Sequence, residues 1–99
     1  MYTVIRRYQG VRDSAEVARR AVEEFAPLIS DQAGFQGYWV VDGGDGVLAT
    51  ISVFETEEAA AASTAAAASW VQQNVGPLVP NPPQLTSGVT TGVGAEVPA

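Results

Sequence analysis

The side chains best suited to acid–base, nucleophilic or metal chemistry are missing from this 99-residue chain, which has no histidine, no cysteine and no lysine. Without histidine there is no ordinary general base, haem ligand or strong zinc ligand, and no Ser-His-Asp relay can be assembled. Without cysteine neither disulfides nor thiolate metal sites can form, and without lysine there is no Schiff-base chemistry. Glu55, Glu57 and Glu58 cluster where a helix should begin, and there they complement the helix dipole more simply than they hold a hard cation. No metal site is expected. Gly43-Gly44-Asp45-Gly46 lacks the strand-to-helix setting and the spacing of a phosphate loop. No serine lies in a nucleophile-elbow sequence. What remains is arginine and tyrosine: permanently charged donors, and phenols able to pass a proton.

The balance of charge narrows the partners. The net charge is −6, and the five basic residues are Arg6, Arg7, Arg12, Arg19 and Arg20. Nucleic acid and anionic membranes would repel such a surface, because phosphate binding needs clustered cations. No apolar run has membrane length, and the N-terminus enters a strand pattern without a leader, so a cytoplasmic protein is expected. The length fits one domain, placed at residues 1–93, followed by a loose tail over residues 94–99.

Periodicity supplies the elements. Tyr2 to Val11 alternates as a strand. Asp13 starts a helix in which Val17, Ala21, Phe25, Leu28 and Ile29 recur at helical spacing, and Glu16 should pair with Arg20 one turn on. Pro27 must kink that helix or end its regular part. Gln36 to Asp42 is a second strand, Asp42 to Gly46 a turn, and Val47 to Phe54 a third strand. Thr56 caps an alanine-rich helix from Ala59 through Ala68 towards Val75. Pro80-Asn81-Pro82-Pro83 is a stiff connector to a weaker last strand, Leu85 to Val93. The expected fold is therefore α+β: a ferredoxin-like βαββαβ chain with a four-stranded antiparallel sheet and two helices on one face.

The strands are apolar on both faces. Trp39 and Val41 oppose Tyr38 and Val40; Val47, Ala49, Ile51 and Val53 oppose Leu48 and Phe54. Two helices cover one face only, so the other calls for a second sheet, most simply that of an identical subunit. A homodimer closed sheet to sheet is expected. The alanine helix has two readings: tight packing on the sheet, or a cavity beneath it bordered by Tyr8, Phe25, Tyr38, Phe54 and Trp70.

The Ala33-Gly34-Phe35 step, the Ile51-Ser52-Val53-Phe54-Glu55-Thr56 exit from strand three, and Trp70-Val71 followed by Leu78-Val79-Pro80 together resemble the antibiotic-biosynthesis monooxygenase-like family of dimeric α/β barrels. The likeness runs to about Gly92. It implies a pocket between sheet and helices in each subunit. Some members oxygenate aromatic polyketides or quinols without metal or flavin; others degrade haem with an asparagine on strand one, a tryptophan ending strand three and a histidine on helix two. Those positions fall near Arg6, on Phe54 and near Thr64, and all three differ, which disfavours haem chemistry. No cofactor is expected.

For the cofactor-free branch the resemblance suggests Arg6 as the donor that stabilises an anion, with Tyr8 and Tyr38 as proton relays. Trp70 and Phe54 would be aromatic walls, with Phe25 and Ala67 completing the pocket. Each has a plainer reading: Arg6 paired with a glutamate at the dimer rim, the tyrosines as ordinary strand residues, Trp70 as a helix anchor. Two functions follow: cofactor-independent oxygenation of a small hydrophobic or aromatic molecule, or a non-catalytic ligand carrier or interaction module on the same barrel.

Overall fold

The computed structural model describes residues 1–92. Strand β1 (Tyr2–Tyr8) is followed by a helical arm made of α1 (Ser14–Arg20), a π-helical turn (Ala21–Phe25) and α2 (Ala26–Ser30). Strands β2 (Phe35–Gly44) and β3 (Val47–Phe54) form a hairpin. The second arm is α3 (Glu57–Trp70), a π-helical turn (Val71–Val75) and a 3-10 turn (Gly76–Leu78), and it leads to β4 (Gln84–Val89). The sheet order is β2-β3-β1-β4, with every neighbouring pair antiparallel. This is the ferredoxin-like arrangement expected from the sequence.

Local chemistry explains the boundaries. Asp13 accepts from the Glu16 amide at 3.3 Å, and Thr56 Oγ1 accepts from the Ala59 amide at 3.2 Å, so each arm opens on a side-chain cap. Pro27 lacks an N–H, and the turn before it widens instead of kinking: the Ala26 amide reaches back to the Ala21 carbonyl before α-winding resumes. The hairpin is tighter than the expected five-residue turn. β2 runs on to Gly44, and Asp45 and Gly46 alone make the reversal at φ 52° and 78°, the left-handed pair that a type I′ turn requires.

Three expectations need correction. β1 ends at Tyr8, not Val11, because Gly10 turns the chain at φ 68°. Val11 instead packs into the core and donates to the Gly46 carbonyl at 3.0 Å. β4 stops at Val89 because β1, its partner, runs out at Tyr2. Val93 and the tail expected over residues 94–99 lie outside the described residues. Glu16 pairs with Arg19 rather than Arg20. Arg20 pairs with Glu24 and donates to the Asn74 carbonyl at 3.0 Å, tying the two arms together.

One face of the sheet is covered by the arms, where Val4, Tyr8, Leu48 and Phe54 are buried. On the other, Ile5, Trp39 and Val41 are 38%, 55% and 49% exposed. The sheet is apolar on both sides, and within one chain only one is covered. Helix α3 contributes Ala60, Ser63, Ala67 and Trp70 to the covered side, a single stripe at helical spacing. It does not reach the edge strand: Leu85, paired with Arg6 and on the same face, stays 52% exposed.

Candidate functional site

The gap between α3 and the β4 edge is a cleft of about 690 Å³. Its walls come from β1 (Arg6, Tyr8), from the alanine stripe (Thr64, Ala67), and from the proline connector with Leu85. The size suits a small polycyclic molecule, and the walls are largely apolar. A second, much smaller space of about 20 Å³ lies between the two arms and the sheet, with room for roughly one water. Tyr8, Ala67, Val71 and Val79 border both spaces.

Arg6 is the most unusual residue of the site. It is 1% exposed, and alternation along β1 turns it to the helix side with Val4 and Tyr8. One terminal nitrogen donates to Ser52 Oγ on β3 at 3.1 Å; the other donates to Ser63 Oγ and Thr64 Oγ1 on α3 at 3.1 and 3.0 Å. Both α3 hydroxyls spend their own protons on the Ala60 carbonyl, which leaves lone pairs free for the guanidinium. The Nε–H has no acceptor among the described residues. No carboxylate pairs with Arg6 among the described residues, so the glutamate partner at a dimer rim is not what this residue has.

Two phenols share this field. Burial lowers the pKa of Arg6, and the nearby Tyr8 and Tyr38 oppose that shift. Burial raises Tyr8, with the Arg6 charge acting against it. Tyr38 is raised strongly, by burial first and by Tyr8 second, with Arg6 again opposing. Both phenols therefore stay protonated at neutral pH and act as donors.

The structure brings Arg6, Tyr8 and Tyr38 within electrostatic reach of one another. Phe25, Ala67 and Trp70 stand beside Tyr8 and Tyr38 around the small cavity. Phe25 packs its ring on Tyr38 and on Trp70, each at a centroid distance of 5.6 Å. Phe54 stands apart. It is fully buried in a separate cluster with Val4 and Ala60, edge-on to Phe35 at 5.9 Å, and borders neither space. Both sequence readings of the alanine helix hold in part, since Ala60 packs tightly while Ala67 borders open space. Periodicity had not singled out Ser52, Ser63 and Leu85. The available signal was Ser63-Thr64, the one polar pair interrupting the alanine run between Ala59 and Ala68.

Residues 1–70 match the sequence pattern of the antibiotic biosynthesis monooxygenase family. The chain belongs to this family. Among solved structures, the chain is similar to the NE2512 protein of unknown function from Nitrosomonas europaea. Identity is 20%, over 99% of this chain and 94% of that one, with a TM-score of 0.72. It is also similar to the ActVA-Orf6 monooxygenase of Streptomyces coelicolor, solved in complex with nanaomycin D, at 16% identity over 99% and 92% of the chains and a TM-score of 0.72. SnoaB of Streptomyces nogalater, a cofactor-independent oxygenase, matches at 14% identity over 96% and 97% of the chains with a TM-score of 0.66. No curated relative matches the chain. At these identities the likeness establishes the fold of an antibiotic biosynthesis monooxygenase, and it leaves the activity to the site.

Within the family frame, Arg6 and Thr64 lie near the positions that sequence reasoning matched to the asparagine and histidine of the haem-degrading branch. Here those two side chains are hydrogen-bonded to each other, and neither can offer an axial ligand to iron. Among the described residues no group of three or more metal-ligating side chains comes together, and no helix is long and apolar enough to cross a membrane.

Proposed function

We propose that this protein binds a small aromatic molecule in the cleft beside α3 and oxygenates it directly with dioxygen, working as a homodimer. The observation that carries this reading is a buried, carboxylate-free arginine in the wall of a ligand-sized apolar cleft. Dioxygen reacts readily with electron-rich phenolates and enolates. A protein with neither metal nor flavin contributes by holding such an anion, excluding water and supplying donors. Arg6 is the charge that holds the anion; Tyr8, which borders the cleft, is the donor, and Tyr38 stands behind it at the small cavity. For an anthrone the overall change balances simply. The ring methylene loses two hydrogens, one oxygen atom becomes the carbonyl, and the other leaves as water. The monooxygenase and cofactor-independent oxygenase among the structural neighbours support this class of reaction.

The homodimer reading rests on the open face of the sheet. Ile5, Trp39 and Val41 make an apolar surface that a second copy of the same sheet would cover. Oxygen uptake with a panel of anthrones and quinols tests the activity. Turnover that falls in Arg6→Ala and Tyr38→Phe supports it, and saturable binding without turnover across the panel rejects it. The second outcome would favour the carrier reading, which has its own support: no carboxylate, imidazole or amine lines either space, so no ordinary base is at hand.

A further inference from the structure

The environment of Arg6 carries a statement about the ligand, resting on the reading of the cleft as a small-molecule site. We infer that the cleft selects an aromatic ligand that is already an oxyanion in solution, and that Arg6 is the residue that recognises the charge. Three observations converge. Arg6 forms part of the cleft wall, yet its charge is out of water and faces only neutral hydroxyls. A buried cation without a counter-charge is costly, and an unmet N–H adds to that cost. An anionic ligand would relieve both.

The second observation is the neighbourhood. The charged and titratable groups that feel Arg6 are Tyr8 on β1 and Tyr38 on β2, while β3 and α3 present hydroxyls only. Neither phenol can supply negative charge at neutral pH, and Tyr8, which borders the cleft, can donate to an incoming oxygen. The third is the chain as a whole. The chain has eleven carboxylates against five arginines, and among the described residues none of the former pairs with this guanidinium. No base lines the cleft to strip a proton from a weakly acidic ligand, so the charge must arrive with the ligand. Acidic hydroxyquinones, enolised diketones, and anthrones or quinols that carry an acidic hydroxyl fit this class; neutral quinones and simple phenols do not.

Paired probes test it. Lawsone is a hydroxynaphthoquinone ionised at neutral pH, and its methyl ether has nearly the same shape without the charge. Titration by visible absorbance should show lawsone binding the wild type at least about tenfold more tightly than the ether. The overall negative charge of the protein would by itself favour the reverse. Arg6→Met should erase the difference by weakening lawsone, and Arg6→Lys should keep part of the preference. Equal saturable binding of both probes to the wild type overturns the anion assignment and leaves the cleft a small-molecule site. A lawsone preference that survives in Arg6→Met overturns it too, by placing the charge recognition elsewhere. Failure of both probes to bind removes the reading of the cleft itself. The wild-type comparison stands whether or not the Met variant folds.

Discussion

Arg6 on β1 and Ser63 on α3 are joined by a 3.1 Å hydrogen bond across the layer between sheet and helix, with both residues buried. Ser63 passes its own proton to the Ala60 carbonyl, so its oxygen serves as a pure acceptor for the guanidinium. This pairing fixes how α3 sits over the sheet at the level of the cleft. It also means that the strongest charge in the protein interior is held by dipoles alone.

Holding a charge in that way should cost stability. Replacing Arg6 by Met keeps the volume and removes the buried cation, and Ser63 and Thr64 retain their bonds to Ala60. We expect Arg6→Met to gain about 1–3 kcal/mol. The check is a urea midpoint that moves up with an unchanged slope. A variant that unfolds at lower urea than the wild type would show that the hydroxyl cradle contributes more than the charge costs.

Alkaline pH should loosen the fold through the phenols. The folded protein holds Tyr8 and Tyr38 above the ordinary tyrosine value of 10.0. The unfolded chain therefore ionises first, and the contribution of the two groups is complete below about pH 10 and lost as pH rises beyond it. Urea midpoints should be flat from about pH 7 to 9 and fall from about pH 10 upward. Tyr38→Phe should make that fall shallower, since it removes the more strongly shifted group.

Tryptophan emission reports on the open sheet face. Trp70 is buried in the single chain, whereas Trp39 is 55% exposed and its indole lies over Gly37, where a Cβ would come within 2.5 Å of the ring. In Trp70→Phe only Trp39 emits. If a second sheet covers that face, its emission should be blue and shielded from iodide at micromolar protein, turning red and accessible on dilution. Red emission at every concentration, with a monomer mass by sedimentation, would rule out the sheet-to-sheet dimer.

Ala67 borders both the cleft and the small cavity. A leucine there has only about 20 Å³ on the inner side but an open cleft on the other. We expect Ala67→Leu to turn outward, to change stability by less than about 1.5 kcal/mol, and to weaken aromatic ligand binding by at least about tenfold. A large destabilisation with binding preserved would mean that the side chain is forced inward and the cleft is not where ligands sit.

Much of the architecture was legible because two-residue and helical periods are strong signals, and Asp45-Gly46 is a near-obligatory hairpin turn. Which residues of a strand share a face was legible in part: Leu48 and Phe54 were placed on one side and are found there, but which face turns to the helices was not. Position along the strand was not. Six residues separate these two, roughly 20 Å of extended chain, enough to put Phe54 in a different cluster from the aromatic group around Phe25. Arg6 was hidden for another reason. Charge suggests an outward side chain, and only the hydroxyls of Ser52, Ser63 and Thr64, brought in from two other elements, make an inward one tolerable. The π-helical turns leave no mark on apolar spacing that five residues could reveal.

Those two widened turns sit one in the middle of the first helical arm and one directly after α3, and they carry Ala21, Phe25 and Val71 to the walls of the inner space. Each holds a surplus residue relative to regular winding. Removing one, for instance by deleting Gln73, would let regular α-winding cover nearly the same rotation with one residue fewer, closing the widened turn that brings Val71 to that wall while the chain beyond it keeps its phase. The bore of the inner space is thus set by residue count as much as by residue identity, and a one-codon deletion resizes it without altering a single lining side chain.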